Sequence, residues 1–463
     1  MKKGGFIVGT IIAVVLTVVF ILVFANTLTN FFRGMPTVKG TIGDSEQVVC
    51  FTEHRTVHCL EKETGEEIFT FTAAKAWGSG ESKASPLLTK DGLYFGIVNH
   101  FCAYDLSGNK KWDCVKYNSK IQTSAAETDT LVCFGDEKQY HCLSKISGTE
   151  LVTSDKIIKD AITPIVDSNY IYFAFDGIKK RNIKFSEGHT EKVFETKIKL
   201  TEANKDEAKV EIDGSEKTID EGEEREFGSL AIKVNECKNN DYCKLTIKHE
   251  KGFIEKRDAQ NNIVDSAVVG KRISTELVVS ENYICFGDNK KDKIHCLDKN
   301  NLSFDWPFAG KSGKFKSAPA IDKEDGTEVI YFGTGKTIDK YTMTGVSYGW
   351  SGKGFGDTAA TDLVLGTKYV FGGIKNWIIG LDKNTGSSLF RFYIPETWDY
   401  RIPEARPVVV DGYLYFALEK VCKYNETLSG TLLTEDNAEW CIDFDNQIKG
   451  HITALPKTSE VTT

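Results

Sequence analysis

The sequence predicts an all-β protein, an eight-bladed β-propeller with a small inserted β-domain and an N-terminal transmembrane helix. Three observations predict it: an aromatic residue that recurs about every 40 residues, cysteines that fall into local pairs, and an uncharged apolar run near the N-terminus. The 463 residues are 41% hydrophobic and 27% charged, which is typical of a folded chain and not of a disordered one. The net charge of −8 disfavours nucleic acid as a partner, because phosphate recognition relies on clustered Lys and Arg.

The apolar run covers residues 6–25 and contains no charged residue. As a helix it would span about 30 Å, the hydrocarbon thickness of a bilayer. Two lysines precede it, so the positive-inside rule places the first residues in the cytoplasm and the body of the chain outside. A secretory signal cut after Ala25 and a pilin-like archaeal signal cut near Gly4 are alternatives, and both also export the body. We expect a signal anchor within residues 1–33 and a single-pass membrane protein whose C-terminal body is extracytoplasmic.

Twelve cysteines form six pairs of close sequence neighbours. Three pairs share one frame, VVCFTEHRTVHCL at 48–60, LVCFGDEKQYHCL at 131–143 and YICFGDNKKDKIHCL at 283–297, which is typical of a strand, a polar turn and a returning strand. Directly opposed residues of an antiparallel pair lie about 4.5–5.5 Å apart at Cα, within the range of a disulfide. We predict six disulfides: Cys50–Cys59, Cys102–Cys114, Cys133–Cys142, Cys237–Cys243, Cys285–Cys296 and Cys422–Cys441.

Zinc is the main alternative for these cysteines, because His58, His141 and His295 each precede one of them. Neighbours on a strand point to opposite faces, and no CxxC motif occurs in the chain, so the pattern favours disulfides over a metal or free buried thiols. Disulfides persist in an oxidising compartment or in the cytosol of a hyperthermophile. Together with the N-terminal run, they indicate an external location.

The recurring aromatic residue closes a strand in each unit, with successive spacings of 44, 39, 39, 113, 46, 39 and 45 residues. Small residues precede each of these strands, as at Ala84-Ser85-Pro86, and a turn such as Asp382-Lys383-Asn384-Thr385-Gly386 follows the next strand. Four short strands per unit of about 40 residues are typical of a propeller blade. The aromatic residues are Phe51, Phe95, Phe134, Phe173, Phe286, Phe332, Phe371 and Phe416. Eight units predict eight blades, and seven is the alternative.

Closure of the ring has two candidates. Residues 40–42 and residues 451–456 both resemble the small-residue strand of the first unit. Only one of them can be the innermost strand of that blade, so the other is an extra strand.

The one long spacing predicts an insertion at residues 185–262, where the blade frame disappears. The segment KVEIDGSEKTIDEGEEREFGSLAIKV at 209–234 alternates polar and apolar residues, which predicts a small β-domain of four or five strands. The propeller then has two segments. Residues 37–184 are its first part, with blades 1–4, and residues 263–456 are the rest, with blades 5–8 and a closing strand. Residues 457–463 form a tail. Glu221, Glu223, Glu224 and Glu226 cluster in the insertion, as a solvated face or as a calcium or partner site.

The frame of small residues, a YxYFG-like strand, an LDKNTG-like turn and a Trp resembles the pyrroloquinoline-quinone-type (PQQ-like) propeller repeat. It is similar to the eight-bladed propeller lipoprotein of bacterial outer-membrane assembly and to archaeal membrane-anchored relatives. The resemblance runs from about residue 37 to 445, apart from the insertion, and concerns the fold far more than the function. A lipoprotein needs an N-terminal cysteine, whereas the first cysteine here is Cys50.

The same resemblance raises the hypothesis of a quinoprotein dehydrogenase. That family would imply a vicinal disulfide beside the cofactor, a calcium ion held by acidic and amide side chains, and a Trp-floored cavity. The chain contains no Cys-Cys dipeptide, and no nucleophile elbow, HExxH, phosphate-binding GxxxxGK[ST] or EF-hand loop. We therefore expect no enzyme activity, no cofactor and no metal.

Charged residues near the small-residue strands are candidates for lining an axial channel. They are Glu276, Asp357, Asp362, Glu404 and Arg406, which could bind a cation or a basic peptide, or brace adjacent blades. Asn301 and Asn425 begin glycosylation sequons.

These features favour a non-catalytic, protein-binding scaffold or assembly factor of the cell envelope. A rigid disc offers loops on two faces and exposed outer strands, which can take an extended peptide or a partner domain. The expected partners are envelope or membrane proteins, with the membrane itself contacted through the N-terminal helix. A ligand-binding sensor ectodomain is the alternative, and a PQQ-dependent dehydrogenase is the third hypothesis.

Overall fold

The computed structural model describes residues 36–456, with gaps at 79–81, 83, 155–161, 168–169, 194–195, 213, 228–229, 270–272, 274, 289–292, 310–316, 335–336, 352–360, 375–376, 394–405, 418–419, 429–432, 445–447 and 449–450. The predicted transmembrane segment at residues 6–25 lies outside this range. Within it, no helix is long and apolar enough to cross a membrane. The three helices described are single 3-10 turns at Ser45–Gln47, Lys75–Trp77 and Glu435–Asn437.

Antiparallel sheets make up the described chain, and eight of them repeat one order of four strands. Sheet 1 holds β1 (Thr37–Gly40), β2 (Val48–Glu53), β3 (Thr56–Glu61), β4 (Glu67–Thr72) and β39 (Thr453–Ala454). Sheet 2 holds β5 (Leu87–Thr89), β6 (Gly92–Ile97), β7 (His100–Tyr104) and β8 (Lys110–Lys116), and sheet 3 holds β9 (Ala126–Glu127), β10 (Leu131–Gly135), β11 (Tyr140–Ser144) and β12 (Glu150–Thr153). Sheet 4 holds β13 (Ile165–Asp167), β14 (Tyr170–Ser186), β21 (Tyr242–Asp258) and β22 (Ile263–Val268).

The second half of the chain continues the pattern. Sheet 5 holds β23 (Val278–Val279), β24 (Tyr283–Asp288), β25 (Lys293–Asp298) and β26 (Phe304–Ala309), and sheet 6 holds β27 (Ala320–Glu324), β28 (Thr327–Thr334), β29 (Thr337–Thr342) and β30 (Ser347–Ser351). Sheet 7 holds β31 (Val364–Leu365), β32 (Tyr369–Ile374), β33 (Trp377–Asp382) and β34 (Ser388–Tyr393), and sheet 8 holds β35 (Val408–Val410), β36 (Tyr413–Ala417), β37 (Lys420–Asn425) and β38 (Trp440–Asp443).

The recurring aromatic residue lies in the second strand of every one of these sheets and is buried. In sheets 3, 5 and 7, a threonine three residues before the first strand links the small-residue stretch to the second strand. The hydroxyl oxygens of Thr123, Thr275 and Thr361 each accept a hydrogen bond, at 2.7–2.8 Å, from the backbone N–H of a glycine that follows the aromatic residue. The motif seen in the sequence is thus a packing unit, with apolar rings between sheets and, in these three sheets, a hydroxyl that bonds to the second strand from just before the innermost strand.

Sheet 1 contains both strands that the sequence left as candidates for ring closure. β39 pairs with β2 in the innermost position, with Val49 opposite Ala454 and Cys50 opposite Thr453. β1 pairs with β4 on the outer side, with Thr37 opposite Thr72. The C-terminal segment therefore completes the first sheet, and the N-terminal segment adds a fifth strand to its outer edge.

The inserted module is a two-layer β-sandwich. One layer is the sheet β15 (Thr190–Val193), β16 (Thr196–Ala203), β17 (Glu207–Ile212) and β18 (Ser215–Asp220). The other is formed by the far ends of β14 and β21 with β20 (Leu230–Lys238) and β19 (Glu224–Phe227). Buried residues such as Leu200, Val210 and Ile232 fill the space between the layers.

The ends of the module differ from the boundaries at 185 and 262 that the sequence suggested. β14 and β21 run on from sheet 4 into the module as continuous 17-residue strands. β21 changes its partner from β20 at His249 to β22 at Phe253, so sheet 4 resumes about ten residues before 262. Because the strands are continuous, no turn signal marks the crossing in the sequence.

All six predicted disulfides are present, and they account for every cysteine. Three join the second and third strands of sheets 1, 3 and 5, where the cysteines are directly opposed. Two join the third and fourth strands of sheets 2 and 8, and one joins β20 to β21 in the module. Sheets 6 and 7 have none.

Candidate functional site

The innermost strands of the eight sheets begin around a common axis. One residue in each small-residue stretch occupies the same place, and we call this set the axial ring. Its members are Ser85, Ser124, Thr163, Glu276, Ala318, Asp362, Arg406 and His451. Apart from the step that spans the insertion, they recur every 39 to 45 residues, as the aromatic residues do. Neighbouring innermost strands contact one another from β9 through β13, β23, β27, β31 and β35 to β39, and β39 contacts β5.

Hydrogen bonds join adjacent members of the axial ring. In each bond, the backbone N–H of one member donates to the side chain of the member in the next sheet. The five bonds run from Ser85 to Ser124 at 3.1 Å, Thr163 to Glu276 at 2.7 Å, Ala318 to Asp362 at 2.5 Å, Arg406 to His451 at 2.8 Å, and His451 back to Ser85 at 2.5 Å. The ring side chains therefore brace one sheet against the next.

The two halves of the axial ring differ in charge. Sheets 2, 3 and 4 contribute the hydroxyl residues Ser85, Ser124 and Thr163, whereas Glu276, Asp362, Arg406 and His451 come from sheets 5, 7, 8 and 1. Within the described residues, the guanidinium of Arg406 makes no hydrogen bond and has no carboxylate within 4 Å. It therefore acts on its neighbours through its charge.

The charged half perturbs the titration of its own members. Burial raises the pKa of Glu276 to about 7, and the nearby carboxylate of Asp362 adds to this, while hydrogen bonds from Thr163 and the charge of Arg406 oppose it. Burial likewise lowers the pKa of His451, against the effect of Asp362. Since the Nδ1 of His451 accepts the N–H of Arg406, a neutral ring carries its proton on Nε2.

The structure places three of the five channel candidates, Glu276, Asp362 and Arg406, in this ring. Asp357 and Glu404 lie outside the described residues. The sequence reasoning missed His451, although its spacing of 45 residues from Arg406 is a signal that could have found it.

The other predicted sites lie apart from the axial ring. In the module, Glu221 accepts the backbone N–H of Cys237, Glu223 pairs with Arg225, and Glu224 pairs with Lys248, so these acids have separate partners. In the part of the chain that is described, no group of three or more His, Cys, Asp or Glu side chains is arranged to hold a metal ion.

The two sequons differ in their surroundings. Asn301 lies in an exposed turn, where its side chain accepts the N–H of Ser303 at 2.9 Å. Asn425 ends β37, is half-buried, and accepts both the N–H and the hydroxyl of Thr427.

The outer strand of sheet 4 carries an exposed apolar surface. On β22, Ile263 is 56% exposed and Val264 and Val268 are each 49% exposed. The comparable outer strand of sheet 2, β8, places Lys110, Asp113 and Lys116 at its exposed positions instead. Charged side chains guard an edge strand against pairing with another chain, and an apolar edge lacks that protection.

No family model matches the chain, and no curated protein matches it. Solved structures of β-propeller proteins do match. The dihydro-heme d1 dehydrogenase NirN in complex with DHE aligns with a TM-score of 0.52 at 10% identity, over 90% of this chain and 79% of that one. BamB from Moraxella catarrhalis aligns with a TM-score of 0.47 at 10% identity, over 80% and 90% of the two chains. Apo AztD from Citrobacter koseri gives 0.45 at 10% identity, over 88% and 97%. At 10% identity, the NirN alignment shows a similarity of fold alone. Together with the order of the strands in the sheets, it shows that the chain is a β-propeller.

Proposed function

We propose that the protein is a membrane-anchored, extracytoplasmic propeller of eight blades that acts as a non-catalytic, protein-binding scaffold of the cell envelope. The eight sheets that share one order of four strands are its blades, and the hydrogen bonds around the axial ring support closure at eight rather than seven. Residues 6–25 are its anchor in the membrane, with the disulfide-rich body outside.

The observation that carries the binding function is the apolar edge of β22. Its backbone groups on the outer side are not paired with another described strand, and Ile263, Val264 and Val268 stand exposed along it. An edge of this kind takes an extended segment as an added strand, with main-chain hydrogen bonds for affinity and side-chain contacts for specificity.

The molecule already shows this geometry elsewhere. β1, the strand nearest the predicted anchor, adds antiparallel to the outer edge of sheet 1 over Thr37–Gly40. A partner segment would add to sheet 4 in the same way.

A carboxylate on β22 indicates the charge that the partner segment carries. The Oδ1 of Asp265 accepts the N–H of Ser266 at 2.7 Å, so a carboxylate covers one edge amide. A Lys or Arg on the incoming segment would draw that carboxylate away and free the amide for pairing. The partner is therefore an extended, largely apolar segment of an envelope protein with a basic residue near its middle.

The variant Val264→Glu/Val268→Glu tests this proposal. Both side chains are exposed, so the fold and the thermal unfolding temperature stay unchanged while the apolar edge becomes acidic. After cross-linking in native membranes, we expect at least a tenfold loss of co-purified partner. The control is Ile146→Glu, which changes a more exposed apolar residue in a turn of sheet 3 and should retain the partner. Equal recovery from both variants would show that β22 is not the binding edge.

A further inference from the structure

A repeated ion pair joins adjacent sheets at the end of the molecule opposite the axial ring. In four sheets the residue after the third strand is a lysine, and it reaches an aspartate that lies in the innermost strand of the preceding sheet or shortly after it. The pairs are Lys62–Asp411 at 2.8 Å, Lys145–Asp91 at 3.2 Å, Lys299–Asp167 at 2.8 Å and Lys383–Asp322 at 2.5 Å. The same feature thus supplies a positive charge at four junctions, with Lys62 and Lys145 buried and Lys299 and Lys383 half-buried.

Sheet 8 has an acid at this position, Glu426. The backbone shows the equivalence, since the N–H of Glu426 donates to the carbonyl of Gly412 as the N–H of Lys62 donates to that of Gln47. The preceding sheet offers Thr367 where the other junctions have an aspartate, and its N–H donates to Oε2 of Glu426 at 2.9 Å. The charge of the junction is therefore reversed.

Among the described residues, Glu426 has no counter-charge. It is only 2% exposed, and within the described residues no Lys, Arg or His lies within ion-pair distance of its carboxylate. A single backbone N–H compensates a buried carboxylate poorly, because burial removes the water that would otherwise solvate the charge.

A cavity of about 750 Å³ opens beside this carboxylate, between the turns of sheets 6, 7 and 8 and the end of β39. That volume suits a small organic ligand or one side chain of a partner. Leu365, Val410 and Pro456 give it apolar walls. Three lysines line the cavity, and none pairs with Glu426: Lys383 pairs with Asp322 and Lys323 with Glu281, while Lys368 lies over the ring of Tyr369.

We infer that this cavity binds an organic cation, an ammonium or guanidinium group on an alkyl chain. The ligand's positive group takes the place that the lysine holds at the other four junctions, and its alkyl chain lies against the apolar walls. Such a group belongs to a free amine or to a Lys or Arg side chain of a partner protein. The inference stands apart from the edge of β22, which lies on the outer side of a different sheet.

Titration of the full-length chain in detergent with butylammonium, and separately with the peptides acetyl-Gly-Lys-Gly-amide and acetyl-Gly-Arg-Gly-amide, tests the inference. Glu426→Gln keeps the acceptor for Thr367 and removes the charge, and we expect it to weaken binding at least tenfold. Tighter binding of the peptides identifies a protein side chain as the source, and tighter binding of butylammonium identifies a free amine. Acetyl-Gly-norleucine-Gly-amide, with the alkyl chain but no charge, should not bind.

A matched pair of variants separates the site from general folding. Glu426→Lys/Thr367→Asp installs the lysine–aspartate pair of the other junctions, so the protein should remain folded and lose cation binding. Glu435→Gln, also in sheet 8 but away from the cavity, should bind as the parent does. The inference is overturned if no probe binds the parent, or if the Lys/Asp variant binds the cations as strongly as the parent.

Discussion

Sheets 3 and 7 share one sequence frame and one strand order, yet they hold their second and third strands together by different means. In sheet 3 the disulfide Cys133–Cys142 joins the strands, and His141 stacks on Phe134 with ring centroids 5.4 Å apart. In sheet 7 the corresponding pairs are Val370 opposite Leu381 and Phe371 opposite Gly380. The fold therefore does not require the cysteines, since fully buried apolar pairs serve the same position.

The histidine of sheet 3 adds electrostatics that sheet 7 lacks. The Nε2 of His141 lies 3.3 Å from Asp136, and its Nδ1 contacts Glu150. Sheet 1 repeats the arrangement, with His58 between Glu53 and Glu67. Sheets 1 and 3 thus combine a disulfide with contacts between a histidine and two carboxylates, whereas sheet 7 relies on close packing against a glycine. This difference predicts opposite responses to oxidation state, pH and side-chain volume.

Removing the disulfide should have the largest effect. In the chain-entropy model, a bond between residues nine apart constrains the unfolded chain by about 2.5 kcal/mol. We expect Cys133→Ala/Cys142→Ala to lower the free energy of unfolding by about that amount, with exposure of the same hairpin to proteolysis. Thermal and denaturant unfolding under non-reducing conditions measure it. The parent under reducing conditions should approach the variant, and no change in either would show that packing alone holds sheet 3.

Gly380→His gives sheet 7 the histidine that sheet 3 has at the corresponding position. We expect it to lower the free energy of unfolding by about 1–3 kcal/mol, because the added side chain overpacks the core. A Cβ at Gly380 would lie 2.7 Å from the ring of Phe371 and 2.9 Å from Phe390, closer than any side chain accepts. The companion change Phe371→Leu should recover part of the loss by making room. If Gly380→His alone unfolds at the temperature of the parent, then sheet 7 is not closely packed.

Acid should destabilise sheet 3 over a pH range in which sheet 7 is unaffected. Burial opposes ionisation of Asp136, but hydrogen bonds from His141, Ser119 and two backbone N–H groups outweigh it and lower its pKa from 3.8 to about 2. Because the folded pKa is the lower one, this stabilisation is complete above about pH 4 and is lost as the pH falls through 2. We expect Asp136→Asn to lower the free energy of unfolding by about 2 kcal/mol at pH 7 and to leave it almost unchanged near pH 2, as measured by denaturant unfolding at each pH. An equal loss of unfolding free energy at both pH values would show that the shape of the Asp136 side chain stabilises sheet 3, and not its charge.

A new disulfide in sheet 7 should give the smallest effect, a gain of about 1 kcal/mol, because the entropic benefit is offset by the lost packing of Val370 and Leu381. These residues are directly opposed, as the cysteines of sheets 1, 3 and 5 are. Val370→Cys/Leu381→Cys should oxidise spontaneously, which peptide mapping without reduction detects. Two free thiols in the variant after oxidation would mean that sheets 3 and 7 differ in backbone geometry at this position.

The sequence was sufficient for the repeat, the disulfide pairs and the two candidates for ring closure, because these depend on local spacing that a period of about 40 residues makes visible. It could not assign β39 rather than β1 to the innermost position, since that choice depends on contacts between chain ends about 400 residues apart. It also could not show that Arg406 and His451 are bonded neighbours, or that Glu426 faces a cavity without a counter-charge. Those properties arise only when separate units are placed side by side.

The central claim is that the propeller binds an envelope protein through the outer edge of sheet 4. A photo-crosslinking amino acid placed at Ser266, in the middle of β22, tests it most directly in native membranes, with the same probe at Asp113 on β8 as the control. We expect a discrete cross-linked protein from Ser266, joined through an extended apolar segment that contains a basic residue, and none from Asp113. The same product from both positions, or none from Ser266 in folded and membrane-bound protein, would contradict the claim.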